Sequence, residues 1–88
     1  MNEKAKEIIE AAKELISAAK KAKEQGIIGI THFDEVHIFE VEDFETLVAS
    51  ATQRPVEKER DCNTYPWEYA VEVDGIRFIY LSEERLQF

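Results

Sequence analysis

The segment Trp67–Leu81, WEYAVEVDGIRFIYL, decides the fold. Two runs rich in aromatic and β-branched residues, Trp67 to Val73 and Ile76 to Leu81, flank the dipeptide Asp74-Gly75. Asp-Gly between such runs signals a two-residue type I′ turn, because both central residues take positive φ and the turn's twist matches that of paired strands. A two-residue turn also fixes the register. Val73 is therefore predicted opposite Ile76, Glu72 opposite Arg77, Val71 opposite Phe78 and Tyr69 opposite Tyr80. Alternation along each strand then separates two faces. Trp67, Tyr69, Val71, Val73, Ile76, Phe78 and Tyr80 form the one expected to line the core, whereas Ala70, Ile79 and Leu81 share the other with Glu68, Glu72 and Arg77. Glu72 and Arg77 are expected to pair across the hairpin.

Moving toward the N-terminus, Asn63 to Pro66 is turn chemistry. Val56 to Cys62, VEKERDC, alternates Val56, Lys58, Arg60 and Cys62 with Glu57, Glu59 and Asp61. That pattern suits an edge strand or an ordered loop, with charges that discourage edge-to-edge association. Phe44, Leu47, Val48 and Ala51 fall at i, i+3, i+4 and i+7, which predicts a short helix capped by Asp43 or Glu42 and ending near Thr52, ahead of Pro55. Val36 to Val41, VHIFEV, predicts a strand, and Gly26 to Gly29 reads as a connector.

From Glu3 to Gln25 the chain is rich in Ala, Glu, Lys and Ile, and Ile8, Ala12, Leu15, Ala19 and Ala22 recur at helical spacing. Asn2 suits an N-cap, Lys20, Lys21 and Lys23 suit the negative end of the helix dipole, and Gly26 suits the stop. The apolar stripe, widened by Ile9 and Ile16, is expected to pack on the protein's own sheet, with a self-associating helix pair as the alternative. The chain reads as free of internal repeats and low-complexity linkers. The fold class is thus α+β: a long N-terminal helix and a short second helix on a small, mainly antiparallel sheet of three to four strands ending in a β-hairpin, all in one domain, 1–88.

Charge narrows the function classes. The 88 residues carry a net charge of -8, divided as +1 over residues 1–25 and -9 over residues 26–88. Such an acidic body repels a nucleic-acid backbone and attracts a basic partner. The single cysteine, Cys62, allows no intrachain disulfide, and no apolar run is long enough for a signal peptide or a membrane span. A soluble cytoplasmic protein is expected.

Between Gln25 and Gln53 there is no Lys or Arg, and Asp34, Glu35, Glu40, Glu42, Asp43 and Glu45 fall in that stretch. They are the candidate partner-binding residues, because closely spaced carboxylates engage Arg- and Lys-lined grooves. Tyr65, beside Pro66 in a turn, joins them as an aromatic contact, while Trp67 reads as core. His32, Asp34, Glu35 and His37 contain imidazole and carboxylate, a legitimate ligand set for zinc, nickel or iron. Two histidines five apart on a strand point to opposite faces, however, so the segment reads as a loop leading into a strand, with no metal and no cofactor expected. Cys62 sits between Asp61 and Asn63, where an acidic neighbour disfavours the thiolate, and reads as a small hydrophobe. Three glycines, at 26, 29 and 75, cannot build a phosphate-cradling loop.

Tyr65 to Glu84, YPWEYAVEVDGIRFIYLSEE, resembles the closing hairpin of short proteins carried by phages and mobile elements of Gram-positive bacteria. The resemblance implies a compact accessory protein that acts by binding. Acidic inhibitors of nucleic-acid enzymes, anti-CRISPR proteins among them, are similar in size and charge. The expected function is a non-enzymatic, DNA-mimic-like module whose acidic face occludes a basic surface of a nucleic-acid-binding protein. Two alternatives stand beside it: a homo-oligomeric accessory protein, such as a homodimer, joined through the N-terminal helix, and a small metal-dependent enzyme using His32 and His37.

Overall fold

The computed structural model describes residues 2–32 and 34–88. The hairpin forms as its turn dictates: β4 (Trp67–Val73) and β5 (Ile76–Ser82) pair antiparallel with Val73 opposite Ile76 and Tyr69 opposite Tyr80. Asp74 and Gly75 take φ of 53° and 78°, the two positive values that a type I′ turn needs. β3 (Val56–Glu59) pairs antiparallel with β4 and is the edge strand its alternating charges suggested. On the other side, β2 (Glu35–Ile38) runs parallel to β5, and β1 (Ile27–Thr31) pairs antiparallel with β2. The strand order is β1-β2-β5-β4-β3.

The sheet therefore has five strands, where three to four were expected, and it is antiparallel apart from the central β2/β5 pair. The additional strand is β1, which Gly26 before it and Gly29 within it made resemble a connector. Its register slips between Ile27 and Gly29, so Ile28 is the extra residue of a bulge at the sheet edge. The segment VHIFEV leaves the sheet at Ile38, because Val41 already begins α2 (Val41–Ser50). Glu40 occupies the N-cap without a side-chain bond, whereas Glu42 and Asp43 lie in the first turn and face the positive helix end rather than capping it.

α2 packs across β2, β5 and β4 on the face that the hairpin register assigned to the core. Phe44, fully buried, stacks on Tyr80 at a centroid distance of 5.7 Å, and Leu47, Val48 and Ala51 complete the helix's contribution. The C-terminal segment closes the same layer. The Tyr69 hydroxyl accepts the Leu86 N–H at 2.6 Å and donates to the Leu86 carbonyl at 3.2 Å, and Phe88 meets Tyr69 and Phe44 edge-on. Trp67 is half-buried against this core, with the Arg85 guanidinium 5.3 Å from its ring centre.

α1 (Glu3–Glu24) begins and ends as expected: the Asn2 side chain accepts the Ala5 N–H at 2.7 Å, and Gly26 takes a φ of 82° just beyond the helix. It does not cover the sheet. None of its residues is buried, and β1 is the one element it touches. Two causes are visible. The core face is already occupied by α2 and the C-terminal segment, and the junction to β1 is short and clamped, with the Phe39 N–H on the Gly26 carbonyl and the Asp43 carboxylate against Gly26. α1 consequently projects, giving extents of 54 × 30 × 20 Å and a radius of gyration of 16.1 Å, against about 12 Å for a compact chain of this length. Neither helix covers the opposite face of the sheet, where Ile79 lies in register between Ala70 and His37.

Candidate functional site

Because β2 and β5 run parallel, their C-terminal ends emerge side by side, and the chain turns away from each in a different direction. From β2 it turns through Phe39 into α2; from β5 it turns through Ser82 and Glu83 into the C-terminal segment. The Ser82 hydroxyl fixes the second turn, accepting the Glu84 N–H at 3.1 Å and donating to the Glu84 carbonyl at 2.6 Å. Between the two exits lies an open groove of about 520 Å³. Ile28, Phe39, Tyr65, Tyr80, Leu81 and Leu86 supply most of its apolar lining. Phe39 is 62% exposed and Ile28 64%, unusual for residues of their size, and the β1 bulge is what brings Ile28 there. Tyr65 arrives from the loop before β4, which is held by the Arg60 guanidinium on the Tyr65 carbonyl at 2.9 Å and by the Arg60 N–H on the Pro66 carbonyl.

The rim is acidic. Glu83 and Glu84 line the groove, as does His37, and among the described residues no lysine or arginine does. The same field acts on Tyr80: burial, followed by the charges of Glu40, Glu42 and Glu83, raises its hydroxyl above the ordinary tyrosine range. Its phenol stays neutral and can donate a hydrogen bond well into alkaline solution.

The structure separates the expected partner-binding residues into groups. Tyr65 lines the groove, and Glu40 and Glu42 lie near enough to Tyr80 for their charges to act on its hydroxyl. Asp43 packs against the Gly26 backbone, and Glu45 lies beside a smaller depression between α2 and Phe88. Asp34 and Glu35 stand at the opposite end of β2. There Glu35, not Glu72, takes Arg77, at 2.6 Å, because parallel pairing places Glu35 directly beside it. Thr31 bonds both Glu35 and His37. Partial burial raises the Glu35 carboxyl, but hydrogen bonds from Arg77 and Thr31 and the Arg77 charge outweigh it and hold the group below the ordinary carboxylate range.

Sequence reading missed Ile28, Phe39, Glu83 and Glu84. Phe39 reads as part of a strand, and Glu83 lies 30 residues beyond Gln53, where the stretch free of Lys and Arg ends; the signal would have been the pairing of the two VHI- and FIY-type runs. His37 bonds Thr31, and His32 is an exposed turn residue with φ 54°. Among the described residues no three His, Cys, Asp or Glu side chains converge as a metal ion requires.

Cys62 is half-buried, in keeping with a small hydrophobe, but its thiol is not disfavoured as a thiolate: hydrogen bonding from the Tyr65 and Thr64 backbone, with Arg60, lowers it below its ordinary value against an opposing contribution from burial. The loop's amides, invisible in composition, outweigh the neighbouring Asp61.

The architecture is that of an α+β protein with an open mixed sheet, one packed helix and one projecting helix. No helix among the described residues is long and apolar enough to cross a membrane. No protein family, no curated protein and no solved structure matches the chain.

Proposed function

We propose that the chain is a non-enzymatic protein-binding module of the acidic-inhibitor kind, which receives a basic, apolar-tipped segment of a nucleic-acid-handling protein in the groove at the ends of β2 and β5 and so occludes the partner's own basic surface. The observation that carries this reading is the groove itself: exposed Ile28, Phe39 and Tyr65 inside, carboxylates at the rim, and no lysine or arginine among the described residues that line it. Aromatic anchors supply the area and the acids supply the choice of partner, as at other interfaces where charge steers encounter and buried aromatics slow release. Glu35 and Asp43 contribute to the fold in this reading, so of the expected acids Glu40 and Glu42 carry the acidic face, joined by Glu83 and Glu84 from the groove.

Affinity capture from a host lysate at low and high salt tests it, run beside a Phe39→Ala/Tyr65→Ala variant. The expected result is a nucleic-acid-binding protein retained by the parent chain, released by salt and absent with the variant. A partner held equally by the variant, or held unchanged in high salt, would sink the reading.

A further inference from the structure

α1 exposes Leu15 to 71%, Ile8 and Ile16 to 58% and Ile9 to 39% along one side of a helix that buries nothing. Monomeric proteins seldom leave a continuous apolar strip beyond the order of a few hundred Å² uncovered. In proteins most helical stability comes from packing an amphipathic face rather than from propensity, and the apolar face of α1 has no such cover within the chain.

Although no repeat runs through the chain as a whole, α1 carries a short local one. Lys6–Ala12, KEIIEAA, and Lys13–Ala19, KELISAA, are successive seven-residue units identical at five positions. A seven-residue spacing of apolar residues is one that helices wound around one another share, and over two units a straight α-helix drifts from it by only about 20° per unit, so the stripe stays continuous along α1. Ala5, Ala12 and Ala19 form the central column, with Ile8 and Leu15 on one side and Ile9 and Ile16 on the other.

We infer that α1 is a homodimerisation helix that pairs antiparallel with α1 of a second copy. Charge sets the orientation. Residues 3–12 carry a net charge of -1 and residues 13–24 a net charge of +2, so antiparallel helices set unlike halves together and parallel helices set like halves together. The bodies weigh more heavily. Residues 26–88 carry -9, and a parallel pair would place two such bodies side by side, whereas an antiparallel pair holds them at opposite ends of a helix about 33 Å long, several Debye lengths apart at physiological salt. The alanine column is self-complementary in this orientation: with Ala12 on the two-fold axis, Ala5 faces Ala19 of the second copy, and the Ile8/Ile9 layer faces its Leu15/Ile16 layer.

Sedimentation equilibrium of the full chain across micromolar concentrations tests the pairing. A monomer–dimer equilibrium is expected, and Leu15→Glu/Ile16→Glu should abolish it. Because α1 contributes nothing to the core, the near-ultraviolet circular dichroism of Trp67 and the buried tyrosines should be unchanged, which separates lost pairing from lost folding. A monomer at every concentration overturns the inference; adding phosphatidylglycerol vesicles to that monomer then shows whether the face belongs to a lipid surface instead. A dimer that survives the double substitution overturns it as well. Single-cysteine chains on a Cys62→Ser background fix the orientation: Ala12→Cys should cross-link to itself on oxidation and Ala5→Cys should not, and cross-linking of Ala5→Cys overturns the antiparallel arrangement.

Discussion

Arg77 stands in register between two acids, Glu72 on β4 and Glu35 on β2, and its guanidinium goes to Glu35. Glu35 also receives the Thr31 hydroxyl, so its charged form has more partners than Glu72 can offer. A carboxyl lowered in the folded state contributes stability that is present above its unfolded pKa and lost as pH falls through the folded value. Carboxyl-detected NMR titration should therefore find Glu35 titrating below the ordinary carboxylate range. In Arg77→Gln it should move back up, with the acid limb of the stability profile moving to higher pH alongside it; an unmoved titration would deny the pair its role. Cys62 gives a second test of local backbone. Its lowered thiol should be alkylated by iodoacetamide at neutral pH faster than a free cysteine, with the midpoint of the rate profile shifted down. A midpoint at or above that of free cysteine would show that the Tyr65 and Thr64 amides do not reach the sulfur in solution.

The elements differ in how far local chemistry settles them. The hairpin was readable to the residue because a type I′ turn sets its own register, and α1 was readable because cap, period and stop agree. β1 was not, since a glycine inside a four-residue apolar run resembles a linker until a neighbouring strand pairs with it. Nor was the placement of α1, because an amphipathic stripe has the same composition whether it faces a sheet or another helix. The groove was half readable. Tyr65, Glu40 and Glu42 announced themselves by residue type, whereas Ile28, Phe39, Glu83 and Glu84 meet only through a parallel pairing that no local pattern encodes. The junction after α1 offers the element-scale test. Gly26 combines a φ of 82° with the Asp43 carboxylate packed where a Cβ would go. Gly26→Ala should lower stability in urea unfolding by about 1 kcal/mol or more, from backbone strain together with the displaced carboxylate. A neutral outcome would mean that Asp43 swings aside and that the exit of α1 is less firmly set than the geometry indicates.

At the scale of the whole molecule, a five-stranded body joins a helix that leaves it almost at once. Body and helix divide the charge, the body acidic and the helix balanced, and they divide the apolar surface into a groove at one end of the sheet and a strip along the helix. Two such bodies on one helix pair would present two grooves to a partner, so a partner with repeated basic segments would be held more tightly than either groove holds one. The middle of the sheet carries a different consequence. β5 is the strand through which the β1–β2 ribbon and the β3–β4 ribbon are joined, and a two-stranded ribbon does not persist alone in water. The body therefore has no partial opening that frees β5 and keeps the rest. In native-state hydrogen exchange the amides of Phe78 and Tyr80 should be released only with global unfolding, those of β1 and β3 earlier by fraying from the edges, and those of α1 at rates that track its state of association. Early exchange within β5 would mean that the two ribbons hold together by other means.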